Sequence, residues 1–450
     1  MWLSTTMATL VDAHQVPGAQ LAVHRGDVTV AVEVGAAEHA VGTPITQGTA
    51  FAIGSITKSW TATLAMILVA DGDLDLDEPL DRHLPELRHL GYALTLSHLL
   101  SHTSGFASSP DAAQLGTLSP RRYVREHCRA QDLILPPGTG FSYSSRNYVL
   151  AGHLIEMITG MSWAEAMESI LLQPLGVEPA AGRLAATGHS VNPTLGRTRP
   201  VQQSLAAVEA PAGALAMSAV DLVALGRMHI GPGVPELLPA AYAEWMRQAV
   251  PAADPFGLAD GWGAGLAVYR AGATDRVGAT DWVGHDGNAD GTSCYLRIDP
   301  AGGWVVALTT NANTGSALWA KLCTELRQAS LPLGSAPHGT PLPEPLSAPA
   351  ECAGSYANGP AEYHVTAADG GGLYLAVGDE LTARLAFSHG LEFVVQDLTT
   401  GQGVHAGRFL RGLTTGQVEY LQIGGRLACR GRPPVVPGAR SPGLLGRISA

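Results

Sequence analysis

The chain has 450 residues, enough for two or three domains, and 46% of them are apolar, which is ample for a large buried core. Only 15% are charged, and 27 basic against 39 acidic side chains give a net charge of −12. This balance argues against binding to nucleic acid or to an anionic membrane, and the apolar content is too high for a disordered chain.

The N-terminal part of the chain predicts a β-hairpin followed by a helix. Apolar runs at 19–23 and 28–32 flank the turn at 25–27, which is typical of two paired strands that open a sheet. From Ser55 the apolar spacing becomes helical, and it stops at Asp71-Gly72. Further helical patterns cover 95–102, 120–129, 146–159, 162–172, 219–228 and 239–248.

The remainder of the chain divides into a strand-rich block, a linker and a second strand-rich region. Strands within 262–310 and a closing helix at 316–329 complete an α/β sandwich, in which one antiparallel sheet is covered by helices. Prolines make 332–350 an extended linker. Over 351–450, short strands at 363–365, 373–377, 391–395 and 418–423 between Gly-rich turns predict a small all-β barrel. We therefore expect a first domain over 1–331, the linker, and a barrel domain.

Targeting signals and cysteines favour a cytoplasmic protein. Before Asp12 there is neither a basic residue nor the apolar run of a secretory signal, and the longest apolar stretch, 64–70, is too short to span a bilayer. The five cysteines are odd in number and lack C-x-x-C spacing, which indicates reduced thiols rather than a zinc site or a disulfide framework. We expect no cofactor, no metal and no membrane partner.

Lysine is rare in this chain: of its 27 Lys and Arg residues, only Lys58 and Lys321 are lysines. An arginine cannot lose its proton in a protein, whereas a lysine can. Lys58 follows Ser55 by three positions on one face of the predicted helix, so the two side chains can touch. Burial and the helix N-terminus would lower the pKa of Lys58, which makes it a base for a serine nucleophile. The alternative is an N-terminal helix cap with a solvated lysine.

Two further segments carry residues suited to proton transfer. Tyr143 lies in a polar loop at 136–145 just before a helix, where its hydroxyl could project into a cleft; alternatively it is a half-buried loop anchor. His285 stands between glycines before a strand, and its alternative interpretation is an ordinary turn histidine.

Taken in order, these segments resemble the motifs of the serine β-lactamase/penicillin-binding-protein-like hydrolases, in particular the branch of class C β-lactamases, D-stereospecific peptidases and related esterases. The family motifs S-x-x-K, Y-x-N and K-T-G or H-x-G are matched by Ser55-Ile56-Thr57-Lys58, Tyr143-Ser144-Ser145 and His285-Asp286-Gly287. Flanking segments at 99–106, 137–144 and 211–218 also look similar, and the resemblance runs over 10–330. It implies the β-lactamase-like α/β sandwich, followed here by a lipocalin-like barrel.

The resemblance also implies a role for each matching residue. Ser55 would be the nucleophile, Lys58 the base and Tyr143 the proton relay, with His285 supporting this network from the sheet edge. The main-chain N–H groups of Ser55 and Asn288, next to Gly287, would bind the oxyanion.

Ser145 departs from the pattern, because it stands where the family usually has asparagine. A hydroxyl reaches less far than an amide and offers no amide pair, so the substrate carbonyl or amide would be bound differently. This departure weakens a β-lactamase interpretation more than a general acyl-transfer interpretation.

Other residues are weaker candidates. Glu209 would lie at the cleft rim and pair with a substrate amine, with a solvated loop carboxylate as the alternative. Arg426, Arg430 and Arg432 would reach a substrate carboxylate if the barrel folds over the cleft; otherwise they form a solvated face. His98 and His102 have the spacing of metal ligands on a helix, but no third ligand suggests itself, and the resemblance implies a structural role for this segment.

Three functions remain at this point. The first is a stand-alone penicillin-binding-protein-type thioesterase of nonribosomal peptide biosynthesis, which takes a peptide from a carrier-protein thioester onto Ser55 and releases it mainly as a head-to-tail macrolactam, with a D residue as acyl donor and hydrolysis as side reaction. The second is a cytosolic serine esterase or D-stereospecific aminopeptidase of the same family. The third, a non-catalytic binding protein on this fold, is disfavoured by the intact Ser55, Lys58 and Tyr143.

Overall fold

A computed structural model of the chain describes residues 1–270, 281–334, 348–368, 371–378, 380–388, 390–398 and 403–431. The α-helices in these ranges are α1 (Trp2–Ala13), α2 (Thr57–Ala70), α3 (Leu96–Leu100), α4 (Ala112–Leu115), α5 (Pro120–His127), α6 (Arg146–Thr159), α7 (Trp163–Ala166), α8 (Ala210–Gly213), α9 (Ala219–Arg227), α10 (Ala240–Arg247) and α11 (Gly315–Gln328). Helix α7 continues into a π-helical turn, Met167–Leu172.

The strands are numbered in the same way along the chain. The first part contains β1 (Gly18–Arg25), β2 (Val28–Gly35), β3 (Phe51–Ala52), β4 (Gly188–Asn192), β5 (Arg197–Val201), β6 (Ala216–Met217), β7 (Gly261–Trp262), β8 (Ala267–Tyr269), β9 (Trp282–Ala289), β10 (Thr292–Asp299) and β11 (Trp304–Thr310). The C-terminal part contains β12 (Gly354–Asn358), β13 (Ala361–Ala367), β14 (Leu373–Val377), β15 (Glu380–Phe387), β16 (Glu392–Asp397), β17 (Gly403–Arg411), β18 (Val418–Ile423) and β19 (Arg426–Arg430).

An antiparallel sheet joins the two ends of the first part of the chain. Its strand order is β2-β1-β11-β10-β9-β8-β7, and β1 pairs with β11 in a register that places Leu21 opposite Leu308. Since successive side chains of a strand point to opposite faces, each central strand serves two cores. In β1, Leu21 packs with α1 and α11, whereas Ala22 packs with α2 and α9. The predicted α/β sandwich is confirmed.

The C-terminal part is a closed barrel of the strands β12 to β19 in sequential order, closed by pairing of β12 with β19. Its interior is rich in aromatic side chains, including Tyr356, Phe387, Phe393 and Phe409. The predicted barrel is therefore confirmed. The runs predicted at 363–365, 373–377, 391–395 and 418–423 coincide or overlap with β13, β14, β16 and β18.

The barrel packs directly on the sandwich. Asn358 of the barrel accepts a hydrogen bond from the main-chain N–H of Ser108 at 2.6 Å, and Arg408 forms a 2.6 Å ion pair with Asp254. An apolar cluster of Ala107, Ile134, Leu427 and Cys429 lies between the two parts. The two units thus share a specific interface next to the loop that precedes α6.

Further predictions concern the linker, the cysteines, a membrane-spanning helix and a metal site. Residues 335–347 of the predicted linker lie outside the described residues, so the domain boundaries stay predictions. All five cysteines are buried thiols. Within the described ranges, no helix has the length and apolarity needed to cross a bilayer. The same ranges hold no group of three or more His, Cys, Asp or Glu side chains arranged for a metal ion.

Candidate active site

Ser55 lies in a short 3-10 turn, Gly54–Ile56, that leads into α2. Strand β9 passes so close to this turn that only glycines fit on both sides. Gly54 has φ +51°, and a Cβ there would lie 2.3 Å from the main-chain oxygen of Asn288. A Cβ at Gly287 would lie 1.9 Å from the main-chain oxygen of Ile53. These glycines bring the first and third motifs side by side.

Lys58 sits one helical turn after Ser55 and contacts it. Its Nζ lies 3.0 Å from Ser55 Oγ and donates a hydrogen bond to the main-chain oxygen of Ala212 at 2.8 Å. The residue is only 1% exposed. Burial lowers the pKa of Lys58 to about 7, while the Glu209 carboxylate opposes this shift and the Arg426 guanidinium adds to it. A lysine with this pKa is about half deprotonated at pH 7, so it can accept a proton there.

Tyr143 completes the contacts of the Ser55 hydroxyl. Its ring centre lies 5.1 Å from Lys58 Nζ, and its phenol is hydrogen-bonded to Ser55. Burial raises the pKa of Tyr143 to about 12, and the hydrogen bond to Ser55 and the charge of Arg426 oppose this shift. The tyrosine is therefore a neutral phenol at neutral pH, which suits a group that accepts and donates a proton in turn.

His285 faces this group from β9. Its Nδ1 lies 2.6 Å from the main-chain oxygen of Asp286, so Nδ1 carries the proton and Nε2 has the lone pair. Nε2 is buried, without a hydrogen-bond partner among the described residues, and the ring centre lies 6.2 Å from that of Tyr143. Burial, helped by the charge of Lys58, lowers the pKa of His285 to about 4. His285 is thus a neutral acceptor beside the tyrosine.

Asp286, between His285 and Gly287, points to the opposite face of the sheet. There its carboxylate pairs with the buried Arg297 at 2.5 Å, and the guanidinium lies over the ring of Tyr269. This ion pair stabilises the middle of β9 on the sheet face opposite His285.

The position of Asn288 suits the predicted oxyanion site. Asn288 pairs with Ser293 of β10, one step before the two-residue turn Asp290-Gly291. In a two-residue hairpin, the residue pair next to the turn exchanges main-chain hydrogen bonds between its two strands. In the next pair, here Asn288 and Ser293, each main-chain N–H therefore points away from the partner strand. The main-chain N–H of Asn288 therefore points toward the sheet edge at the turn that carries Ser55.

Ser145 is half-buried at the start of α6, and its main-chain oxygen accepts the N–H of Tyr148 at 3.0 Å. The neighbouring Asn147 does not replace the missing asparagine. Its amide is buried, with Oδ1 accepting from Ser104 Oγ at 2.5 Å and Nδ2 directed at His102 Nδ1 at 3.0 Å.

The interpretation of Glu209 as a solvated loop carboxylate is wrong. It lies in a 3-10 turn, Ala207–Glu209, just before α8, and is only 7% exposed. Burial raises the pKa of Glu209, while the charge of Lys58 and a hydrogen bond from Ser109 oppose this shift. The carboxylate therefore belongs to the electrostatic surroundings of Lys58 rather than to an exposed rim.

The barrel also reaches the site through the turn between β18 and β19. The main-chain oxygen of Gly425 accepts the N–H of Tyr143 at 2.9 Å, and the Arg426 guanidinium lies 5.7 Å from the Tyr143 ring centre. Arg430 instead is exposed and donates to the main-chain oxygen of Val418 in the neighbouring strand β18. Arg432 lies outside the described residues. Of the predicted arginines, Arg426 is the one placed at the site.

Two charges of opposite sign act on Lys58, so their removal should move its pKa in opposite directions. We expect Arg426→Gln to shift the acid limb of the pH–rate profile upward and Glu209→Gln to shift it downward, each by roughly one pH unit. The limb reports the loss of the Lys58 proton, and kcat/KM for a small thioester would be measured across pH.

Glu325→Gln provides the control, because Glu325 pairs with Lys321 on the surface of α11. This variant should leave the limb in place. Shifts of the two site variants in the same direction would contradict the assignment of the limb to Lys58.

Comparison with known proteins agrees with this geometry. The β-lactamase family model matches residues 3–331. Penicillin-binding protein 4 of Amycolatopsis lactamdurans is 34% identical over 358 residues, which cover 75% of this chain and 90% of that protein.

Solved structures extend the similarity to the barrel. The crystal structure of SurE is 39% identical with a TM-score of 0.83, and the match covers 95% of this chain and 98% of SurE. A second SurE structure, with D-Leu, is 38% identical with a TM-score of 0.81 over the same shares of both chains. The D-amino acid amidase from Ochrobactrum anthropi SV3, complexed with L-phenylalanine amide, is 25% identical with a TM-score of 0.58, over 69% of this chain and 91% of that one. With its family model, its relatives and its fold in agreement, the chain belongs to the serine β-lactamase/penicillin-binding-protein-like hydrolases.

Proposed function

We propose that the chain is a stand-alone penicillin-binding-protein-type thioesterase of nonribosomal peptide biosynthesis. It takes a peptide from a carrier-protein thioester onto Ser55 and releases it mainly as a macrolactam, in the cytoplasm. The observation that carries the proposal is the similarity to SurE, which extends through sandwich and barrel and includes a structure with D-Leu. It supports a peptide with a D residue at its acyl end.

The acylation step follows from the contacts of Ser55. Neutral Lys58 takes the hydroxyl proton, and Oγ attacks the thioester carbonyl. The main-chain N–H groups of Ser55 and Asn288 stabilise the oxyanion. When the tetrahedral intermediate collapses, the C–S bond breaks and Tyr143 passes a proton to the carrier thiolate. Tyr143 then recovers a proton from Lys58, so the peptide is left as an ester on Ser55.

The release step reverses these proton movements. The free N-terminal amine of the peptide attacks the ester carbonyl and gives up a proton to Lys58 through Tyr143. Collapse then forms the amide bond and breaks the bond to Oγ, which receives a proton again. The buried Glu209 would attract the N-terminal ammonium, which loses one proton to solvent before its neutral amine attacks. The burial of Lys58, Tyr143 and His285 disfavours attack by bulk water.

A hydrolase is the second candidate. The same residues support acyl transfer to water, and the likeness to a D-amino acid amidase favours a D-stereospecific amidase or aminopeptidase, or a related esterase. The two functions differ in the acceptor, either an amine held in the cleft or a water molecule.

Mass spectrometry of products and intact protein tests the proposal. Wild type and Ser55→Ala would be mixed with a short free-amine peptide thioester that ends in a D residue. Cyclic product and an acyl adduct that requires Ser55 are expected, and the same peptide with an L residue at its end should react more slowly. Linear acid alone would favour the hydrolase, whereas no adduct with any thioester would favour the non-catalytic binding protein.

Two matched substrates sharpen this test. Acetylating the N-terminal amine removes the nucleophile but leaves the acyl donor unchanged. The acetylated peptide should therefore acylate Ser55 and yield linear acid without cyclic product. Equal rates of acid formation from both peptides, without any cyclic product, would contradict a cyclase.

A further inference from the structure

We propose that His102 is a positioning residue that holds the Tyr143 hydroxyl in place by binding the main chain on both sides of it and packing against its ring. This inference rests on the proton-relay role proposed for Tyr143. His102 lies just after α3, in a segment whose sequence had suggested only metal-ligand spacing or a structural role.

The first observation is that His102 brackets Tyr143 with hydrogen bonds. The main-chain oxygen of His102 accepts the N–H of Ser142 at 3.0 Å, and its Nδ1 accepts the N–H of Ser144 at 3.2 Å. Nδ1 also lies 3.0 Å from the amide nitrogen of Asn147. One buried residue thus binds the residues immediately before and after the tyrosine.

These bonds define the form of the imidazole. Since two N–H groups point at Nδ1, this atom must carry the lone pair, and the proton belongs on Nε2. Protonation of Nδ1 would place a hydrogen against the N–H of Ser144 and release that side of the tyrosine. His102 therefore positions Tyr143 only as a neutral imidazole of one tautomer.

The second observation is the ring packing. The imidazole centre lies 4.3 Å from the ring centre of Tyr143, with 35° between the planes. Phe141, Tyr148 and Trp262 surround the same imidazole at 5.8, 5.3 and 5.4 Å. These contacts limit the movement of the phenol away from Ser55, which the hydrogen bonds to the main chain alone would not do.

The backbone of His102 is held in an unfavourable conformation. Its φ is +56°, and among the described residues the other non-glycine positions with positive φ, Gln15 and Ser330, are exposed. Such a conformation disfavours most side chains by about 1–2 kcal/mol, so it persists only where the surroundings require it. At His102 it lets the main-chain oxygen and Nδ1 reach the same loop.

The charges around His102 favour the required neutral form. Lys58 of α2, His285 of β9 and Arg426 of the barrel face the imidazole, together with the phenols of Tyr143 and Tyr148. Burial is the main reason that the pKa of His102 lies well below its usual value, and the three basic groups add to this effect. The same surroundings that lower the pKa of Lys58 thus keep His102 able to accept the Ser144 N–H.

The metal interpretation finds no support in these contacts. Both interactions of Nδ1 are with N–H groups, and the nearby His98 uses its own Nδ1 to accept the N–H of Thr95 at 3.3 Å. The described part of the chain contains no group of potential ligands around these histidines.

Two variants test whether the hydrogen bond from the Ser144 N–H matters at position 102, or only the presence of a buried polar side chain. In His102→Asn, Oδ1 takes the place of Nδ1, and asparagine tolerates a positive φ. In His102→Gln, the amide lies where Nε2 was, so the N–H of Ser144 loses its acceptor. We expect the Gln variant to slow acylation of Ser55 by a small activated ester roughly 10²-fold with little change in KM, and the Asn variant to recover most of the rate.

A double-mutant cycle shows whether His102 acts through the tyrosine. Tyr143→Phe should slow acylation by itself, and adding His102→Gln should then cause little further loss. Equal losses in both backgrounds, or a folded His102→Gln variant with the wild-type rate, would overturn the inference. If Tyr143→Phe alone retains the wild-type rate, the proposed relay fails, and the inference that rests on it fails with it.

His229→Gln is the matched control, because His229 is also buried but packs near α10, away from Ser55. Melting temperatures of all variants would be compared. A purely structural His102 would lower the melting temperature in both the Asn and Gln variants and leave their acylation rates alike, which would also overturn the inference.

Discussion

Replacing Lys58 by methionine should slow acylation of Ser55 by about 10²–10⁴-fold, the usual contribution of a general base. The neutral amine of Lys58 lies 3.0 Å from Ser55 Oγ, and methionine of similar length has no group that can take the proton. Lys58→Arg should be nearly as damaging, because a guanidinium stays charged at neutral pH. Single-turnover acylation by a small thioester would measure both variants.

The chain supplies its own control for this substitution. Its other lysine, Lys321, is half-exposed on α11 and pairs with Glu325. Lys321→Met should therefore leave acylation unchanged. A Lys58→Arg variant with the wild-type rate would exclude Lys58 as the base.

The same Lys58→Met substitution should raise the free energy of unfolding at neutral pH by on the order of 1 kcal/mol, since it removes a buried amine. The pKa of Lys58 is about 7 in the folded protein and 10.5 as an ordinary lysine. Between these values the unfolded chain binds more protons, so wild-type stability should rise with pH across that window. Denaturation across this pH range should show the rise in wild type and its loss in Lys58→Met.

Much of the sandwich and of the barrel was predictable from local pattern. The helix predicted at 146–159 matches α6 at both ends, since its apolar spacing is regular and Gly160 stops it. Strands β14 and β18 likewise match the predicted runs, because alternating apolar residues stand between turns. Helix α1 was missed, since its Ser and Thr residues obscure the apolar face of Met7, Leu10 and Val11.

The candidate site was only partly predictable, because some of its contacts join distant segments. The spacing of Ser55 and Lys58 predicts their contact, whereas the burial of Glu209 depends on residues such as Ser109, which no local pattern connects to it. His102 lies in the flanking segment 99–106, for which the resemblance implies a structural role. Its role depends on a positive φ and on bonds to Ser142 and Ser144, which its spacing from His98 does not reveal.

Substituting valine for Gly425 should lower acylation roughly 10²-fold by moving the barrel turn away from Tyr143. A Cβ at Gly425 would lie 2.9 Å from Leu258 and 3.1 Å from Phe141, so a branched side chain cannot fit without displacing the turn. That displacement breaks the hydrogen bond from the Tyr143 N–H and moves Arg426 from the phenol. Acylation of Ser55 and the pH–rate profile would be measured together.

Gly416→Val separates this effect from general damage to the barrel. Gly416 has φ +66° and Gly425 has φ +73°, so valine strains both backbones similarly. Among the described residues, no atom outside its own turn lies within 4 Å of a Cβ at Gly416. Both variants should lose about 1–2 kcal/mol of stability, but only Gly425→Val should lose acylation and shift the acid limb upward, as the charge of Arg426 moves from Lys58. Equal rates in the two variants would show that the barrel does not support the tyrosine.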